Sequence, residues 1–210
     1  MQRIILAVLV ASFGATGAAH AQRSHAVRPP ARWVINGHSV AAFGTSVGTG
    51  DPGDVKTSTG LGGGVQVGYM ITPRLTAYAG FELAKQSIDV VGLDGDFGLS
   101  QLEAGARLSF PVRGSRVMPY LGAWVGRRRL STTIDDFDTG AQADFSLSGL
   151  AVGAGGGVQY FVSPKLALDG GLSVGVGKMG NIKVAGEKRN PPALDNTTTT
   201  RLQFGANWYP

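Results

Sequence analysis

Few residues in this chain have the types and spacing that chemistry requires. Beyond residue 21 the histidines are His25 and His38. A serine nucleophile needs a base within hydrogen-bond reach, and His38-Ser39 is where such a pair is adjacent. Neighbours on a strand project to opposite faces, so the pair does not make a dyad. His38 reads as a strand-end or interfacial histidine, and no catalytic residue is assigned. The run Asp135-Asp136-Phe137-Asp138-Thr139-Gly140 offers oxygen ligands, but a calcium loop of the EF-hand kind needs them at alternating positions, then Gly and a later Glu. The run lacks that spacing and reads as solvated loop, so no metal site is assigned, and no cofactor. The chain has no cysteine, which excludes disulfides and thiolate metal sites. A net charge of +5 is scattered through turns and strand ends, which argues against a nucleic-acid footprint. Two groups of charges remain: Arg127-Arg128-Arg129, and the separated residues Glu82, Glu103, Arg107, Asp169 and Arg201. Whether the second group meets depends on the elements that carry it.

Those elements alternate with period two. Gly68 to Gly80 reads GYMITPRLTAYAG, and QYFVSPKLALDGG from Gln159 to Gly171 repeats it, with Tyr69 matching Tyr160 and Pro73 matching Pro164. A strand, a tight polar turn and a second strand account for the pattern. Eight such segments follow Arg32. In residues 61–71 Leu61, Val65, Val67, Tyr69 and Ile71 share one face, opposed by Gly62, Gly64, Gln66, Gly68 and Met70. In residues 101–110 Leu102, Ala104, Ala106, Leu108 and Phe110 oppose Gln101, Glu103, Gly105, Arg107 and Ser109. The remaining segments behave alike, save the first, about residues 34–47, which alternates poorly and whose faces the pattern leaves unassigned. Short connections at 72–74, 113–116 and 163–165 alternate with long polar ones at 48–60, 88–98, 131–145 and 181–196. The 33 glycines in 210 residues are about twice the usual share of ~7%. At the N-terminus, a basic Arg3, an apolar run from Ile4 to Val10 and the Ala19-His20-Ala21 site have the order of a secretory signal at residues 1–21. Residues 22–31 then form a short linker and 32–210 one β-domain.

Short turns at one end and long loops at the other are the pattern of an outer-membrane barrel. In a soluble sandwich the apolar face would be a core and the opposite face charged. Here the opposite face is largely Gly, Ser, Gln and Thr with isolated charges, which suits a narrow barrel interior. If short turns face the periplasm, each downward strand carries an outward aromatic near its lower end: Tyr69, Phe110, Tyr160 and Trp208. Such a girdle suits a lipid boundary and has no purpose in a soluble core. The sequence therefore predicts an all-β fold, an eight-stranded antiparallel up-and-down transmembrane barrel.

The paired Tyr-x-Ile/Val-Thr/Ser-Pro-Arg/Lys-Leu hairpins, the stretch Met118-Pro119-Tyr120-Leu121-Gly122-Ala123-Trp124-Val125-Gly126 and the terminal strand, residues 203–210, resemble the small eight-stranded barrels of the OmpA/OmpX-like "porin family" superfamily. The likeness covers roughly residues 33–210, although the last residue is Pro210 where the family usually ends in Phe. It implies residence in the bacterial outer membrane, contact with its lipid and lipopolysaccharide, and insertion by the barrel-assembly machinery through the C-terminal strand. A monomer without a further periplasmic domain is expected. On this frame Glu82, Glu103, Arg107, Asp169 and Arg201 form a lumen charge network, while the glycines lighten the filling and admit some water. Arg127 and Arg129 point outward at headgroup level, where cations pair with lipopolysaccharide phosphates. The expected role is non-enzymatic, structural or surface-interacting through the extracellular loops. The alternatives are a narrow diffusion channel and, behind it, a lipid A-modifying enzyme, because some barrels of this size acylate or deacylate lipid A with Ser and His.

Overall fold

A computed structural model describes residues 32–47, 55–56, 60–90, 93–135, 142–184, 187–189 and 194–210. The predicted signal and linker, residues 1–31, lie outside them. Ten strands follow in order: β1 (Trp33–Val47), β2 (Val55–Lys56), β3 (Gly60–Met70), β4 (Leu75–Val90), β5 (Leu93–Ser109), β6 (Val117–Asp135), β7 (Gln142–Ser163), β8 (Leu166–Val184), β9 (Glu187–Arg189) and β10 (Leu194–Trp208). Eight are long, and every pairing among them is antiparallel: β1 meets β3, each later long strand meets the next, and β10 pairs with both β8 and β1. The sheet therefore closes on itself and leaves no long edge, which is how a β-structure satisfies its backbone in lipid. The two short strands extend β1 and β8 at the long-loop end.

Three tight turns close the other end, and each is built from the residues the sequence places there. After β3, the amides of Ile71 and Thr72 donate to the Leu75 carbonyl, and Thr72 Oγ1 accepts from the amides of Arg74 and Leu75. After β7, Ser163 Oγ accepts from the Lys165 amide. After β5, Gly114 has φ 75°, a left-handed conformation that a side chain would strain. Ser115 Oγ then accepts from the Val117 amide and starts β6.

The opposite end differs from expectation. Of the stretches read as long loops, 88–90, 93–98, 131–135, 142–145, 181–184 and 194–196 are strand, so β4 to β8 run 16 to 22 residues, against the ~9–11 that cross a bilayer. A hairpin that stands clear of lipid is wetted on both faces and needs only its backbone bonds. It keeps no apolar parity, and the alternation that marks the membrane strands is lost there.

The first strand resolves in the same terms. Trp33 and Ile35 are exposed while Val34, Asn36, Val40 and Ala42 are buried. Small residues at Gly37, Ser39 and Ala41 take the outer face, and apolar Val34, Val40 and Ala42 the inner one. Size and polarity therefore run against the pattern of the other strands.

Candidate functional site

Side chains of one parity from all eight long strands converge on the lumen. Its centre is a clamp made by Arg201 on β10. One nitrogen, Nη1, donates to Glu82 Oε2 of β4 at 2.6 Å and to Glu103 Oε2 of β5 at 3.0 Å. Nε donates to Ser173 Oγ at 3.3 Å, and the guanidinium lies 4.4 Å from the centre of the Trp124 ring. The amides of Gln66 and Gln101 donate to Glu103, and that of Gln203 to Glu82. Glu82, Glu103 and Arg201 are 3 to 4% exposed, so each charge is compensated where water is scarce and attraction strong.

Nearer the tight turns, Asp169 of β8 gathers a second set. Its Oδ2 accepts from Arg107 Nη1 at 3.1 Å, Asn207 Nδ2 at 2.7 Å and Gln159 Nε2 at 3.2 Å, and its Oδ1 accepts from the Tyr120 hydroxyl at 2.8 Å. The Arg107 guanidinium stacks 4.2 Å from the Tyr120 ring centre. The five charges picked from the sequence thus divide into two groups: Glu82, Glu103 and Arg201 in one, Arg107 and Asp169 in the other. Gln66 links them, since it accepts from Arg107 at 3.5 Å and donates to Glu103 at 3.2 Å.

His38 belongs to this network, which corrects its reading as a strand-end or interfacial residue. A carboxylate only accepts, so Asn207 donates through Nδ2 to Asp169 and accepts through Oδ1 from Asn36 Nδ2 at 2.9 Å. Asn36 Oδ1 then faces His38 Nδ1 at 2.7 Å, while His38 Nε2 faces Glu82 Oε1 at 3.0 Å. The ring thus bridges Asn36 and Glu82. Bare Gly64 makes room for it: a Cβ there would lie 2.8 Å from Nε2. Ser39 is exposed on the opposite face, as strand geometry requires.

Arg128 stands above the clamp, 2% exposed. Its Nε donates to Gln101 Oε1 and its Nη1 to Thr199 Oγ1, each at 2.7 Å. At the tight-turn end the lumen is apolar: Val34, Met118, Phe161, Ala167 and Tyr209 pack together with Met70 against them. The rings of Phe161 and Tyr209 stack at 5.6 Å, and Tyr209 is tied by its amide to the Lys165 carbonyl and by its hydroxyl to Gln159. Sequence reasoning missed this plug because it followed the outward neighbours Tyr160 and Trp208. The parity of those neighbours already turned Phe161 and Tyr209 inward.

The glycines do not lighten the interior as expected. Those on β5, β7 and β8 receive large rings instead. A Cβ on Gly105 would lie 2.7 Å from Tyr78, one on Gly171 2.6 Å from the Tyr120 hydroxyl, and one on Gly175 2.6 Å from Trp124. We expect Gly175→Ala to lose about 1–3 kcal/mol, the usual cost of overpacking, in urea unfolding from lipid vesicles, and Trp124→Phe to recover part of it in the double variant. Equal stability of wild type and Gly175→Ala would show that the ring has slack. Among the described residues, two small cavities lie in the lumen, one of about 30 Å³ beside Tyr78, Tyr120, Trp124 and Arg201 and one of about 20 Å³ beside Met70, Met118 and Tyr209. Arg107 lines both.

On the outer wall Phe110, Tyr160 and Trp208 are 42 to 51% exposed near the tight turns. Tyr69 joins them by strand pairing, and Trp33 meets it edge-on at 5.0 Å. Arg127 and Arg129 are exposed at the other end of β6, Arg127 lying opposite Leu102 on β5 and Leu150 on β7. Residues 136–140 of the aspartate run lie outside the described residues, as does His25.

The family model described as outer membrane protein beta-barrel domain matches residues 5–209. No curated protein sequence matches the chain significantly. Among solved structures, Neisserial surface protein A (NspA) is similar with a TM-score of 0.61 and 22% identity, over 84% of this chain and 96% of that one. OprG from Pseudomonas aeruginosa aligns at 0.54 and 14% over 89% and 97%. A major outer membrane protein from Thermus thermophilus aligns at 0.52 and 17% over 84% and 98%. At these identities the likeness is one of fold.

Proposed function

The chain belongs to the outer membrane protein beta-barrel domain family, a protein of the bacterial outer membrane, and from that premise we propose that it is a closed, non-enzymatic barrel with a structural or surface-interacting role. One observation carries the proposal: among the described residues, side chains occupy the lumen from the tight turns up to the Arg201 clamp. The Phe161–Tyr209 plug, the Arg107–Asp169 bridge and the Arg201 clamp succeed one another inside the wall. An eight-stranded barrel has an interior just wide enough for side chains to fill, and these side chains fill it. What is left to interact is the outside.

In this reading the tight turns face the periplasm and the extended hairpins the exterior. Tyr69, Phe110, Tyr160 and Trp208, with Trp33, form the lower aromatic girdle, and Arg127 and Arg129 meet lipopolysaccharide phosphates at the upper headgroup level. The protein is a monomer inserted through its C-terminal strand, which closes the barrel against β1. Residues 1–21 are a signal removed after Ala21 and residues 22–31 a linker. Sequencing the mature N-terminus should find Gln22 first; a retained Met1 would overturn that boundary. Against a lipid-modifying enzyme stands the commitment of His38 to Glu82 and Asn36, with Ser39 on the far side of the strand.

Planar-bilayer recording tests the central claim. The wild type should show little or no conductance, and steady, large unit currents would overturn it. A narrow diffusion channel is the second reading, favoured by the two cavities that share Arg107 as a wall. Arg107→Ala, by joining them, should raise the conductance above that of the wild type.

A further inference from the structure

Basic residues scattered along the sequence come together at the tight-turn end. The strands β1, β4, β6 and β8 start there, and the residue before each is basic: Arg32, Arg74, Arg116 and Lys165. All four are held in the same way. Their carbonyls accept from the amides of Met70, Ser109, Phe161 and Tyr209, at the close of the neighbouring strand, at 2.7 to 2.8 Å. These bonds fix the four at one level, two strands apart around the rim, about 10 Å in backbone spacing. All four residues are exposed, as is Arg113. Among the described residues of this end, 32–34, 69–76, 109–119, 160–168 and 207–210, there is no aspartate or glutamate. The strands of the long-loop end mix the two signs, with Asp89, Asp94, Asp96 and Asp135 alongside Lys85, Arg127 and Arg129. A rim of one sign repels itself and draws anions. The girdle residues Tyr69, Phe110, Tyr160 and Trp208 adjoin Met70, Ser109, Phe161 and Tyr209 in the chain, so each cation has an outward aromatic beside it. By parity the four cations begin on the lumen side, beyond the apolar plug, but Arg32 turns outward. Its Nη1 donates to the Tyr69 hydroxyl at 3.2 Å. A long basic side chain beside an aromatic at the edge of an apolar wall is placed to snorkel to a headgroup. Ile71, Val112, Val162 and Leu166, 40 to 59% exposed, bring apolar surface to the same level, which suits acyl chains and not a polymer in water.

With the tight turns facing the periplasm, the reading on which this rests, we propose that the rim of Arg32, Arg74, Arg116 and Lys165 binds anionic phospholipids of the inner leaflet. Each cation pairs with one phosphodiester, and together they fix the depth of the barrel in the membrane.

Trp33 and Trp208 report on this end directly, being 51 to 55% exposed on the outer wall, whereas Trp124 is buried in the lumen. The test is quenching of their fluorescence in vesicles that mix phosphatidylglycerol into an excess of phosphatidylcholine. Bromine is carried on the acyl chains of the phosphatidylglycerol in one set and of an equal share of the phosphatidylcholine in the other. The relative association constant should favour phosphatidylglycerol about fivefold, the equivalent of one basic side chain at an anionic surface. Replacing all four cations, by Arg32→Gln, Arg74→Gln, Arg116→Gln and Lys165→Gln, keeps the backbone bonds and should abolish the preference. Lys85→Gln, which removes an exposed cation at the other end, should leave it. Equal quenching of the wild type by both lipids, or a preference that survives the quadruple replacement, would overturn the proposal. If isolated peptidoglycan instead retained the wild type but not that variant, with equal quenching, the partner of the rim would be the cell wall and the proposal overturned. A separate measurement tests the orientation. Arg113→Cys supplies a thiol in a chain that has none, and a membrane-impermeant maleimide should reach it only after the outer membrane is opened. Labelling of intact cells would overturn the orientation, and with it the inner leaflet as the source of the lipid, while leaving the selectivity in vesicles standing.

Discussion

Arg201→Met should be among the most damaging single changes in this protein, at a cost of about 3–5 kcal/mol, the range for breaking a buried ion pair by removing one partner. Arg201 Nη1 is the donor that Glu82 and Glu103 share, so its loss strands two carboxylates in a wall that water hardly reaches. His38 and Gln203 remain for Glu82, and Gln66 and Gln101 for Glu103, but the amides among them bring no charge. The barrel has two ways to respond, protonating a carboxylate or admitting water, and both lower the cooperativity of unfolding. Urea denaturation in vesicles reads the cost directly. A triple variant that adds Glu82→Gln and Glu103→Gln should recover most of it, because an amide can be buried where a bare carboxylate cannot. A loss below about 1 kcal/mol for Arg201→Met alone, as for an exposed pair, would show that the clamp holds nothing.

Ala104→Arg should cost about 2–4 kcal/mol, the penalty for a cation near the midplane of a lipid-facing strand. Ala104 lies outward on β5 between Ala79 of β4 and Val125 of β6, with exposed Leu102 next on the same face. None of the side chains around it offers a partner for the charge. Ala104→Leu, equally bulky near the backbone but apolar, should be neutral within experimental error. In detergent, where the belt around the barrel deforms easily, the arginine penalty should shrink. If Ala104→Arg and Ala104→Leu behave alike in vesicles, the outer face of β5 does not meet lipid.

Local alternation alone determined the architecture of this protein and the facing of seven of its strands. A membrane strand must show apolar side chains to lipid on every second residue, and that demand is written in consecutive residues, as from Leu61 to Val67 or Leu102 to Leu108. The same parity marked Glu82, Glu103, Arg107, Asp169 and Arg201 as inward. It said nothing about who meets whom, because partners lie 98 and 119 residues apart for Arg201 and its two carboxylates, and closing the barrel is what brings β10 opposite β4 and β5. Tertiary structure likewise decided that His38 completes the network, since its role follows from the direction of bonds running back through Asn36 and Asn207 to Asp169. It decided how the glycines are used, because the rings they admit come from other strands. And it extended the hairpins beyond the membrane, where water on both sides removes the alternation but leaves the backbone bonds that hold a strand together.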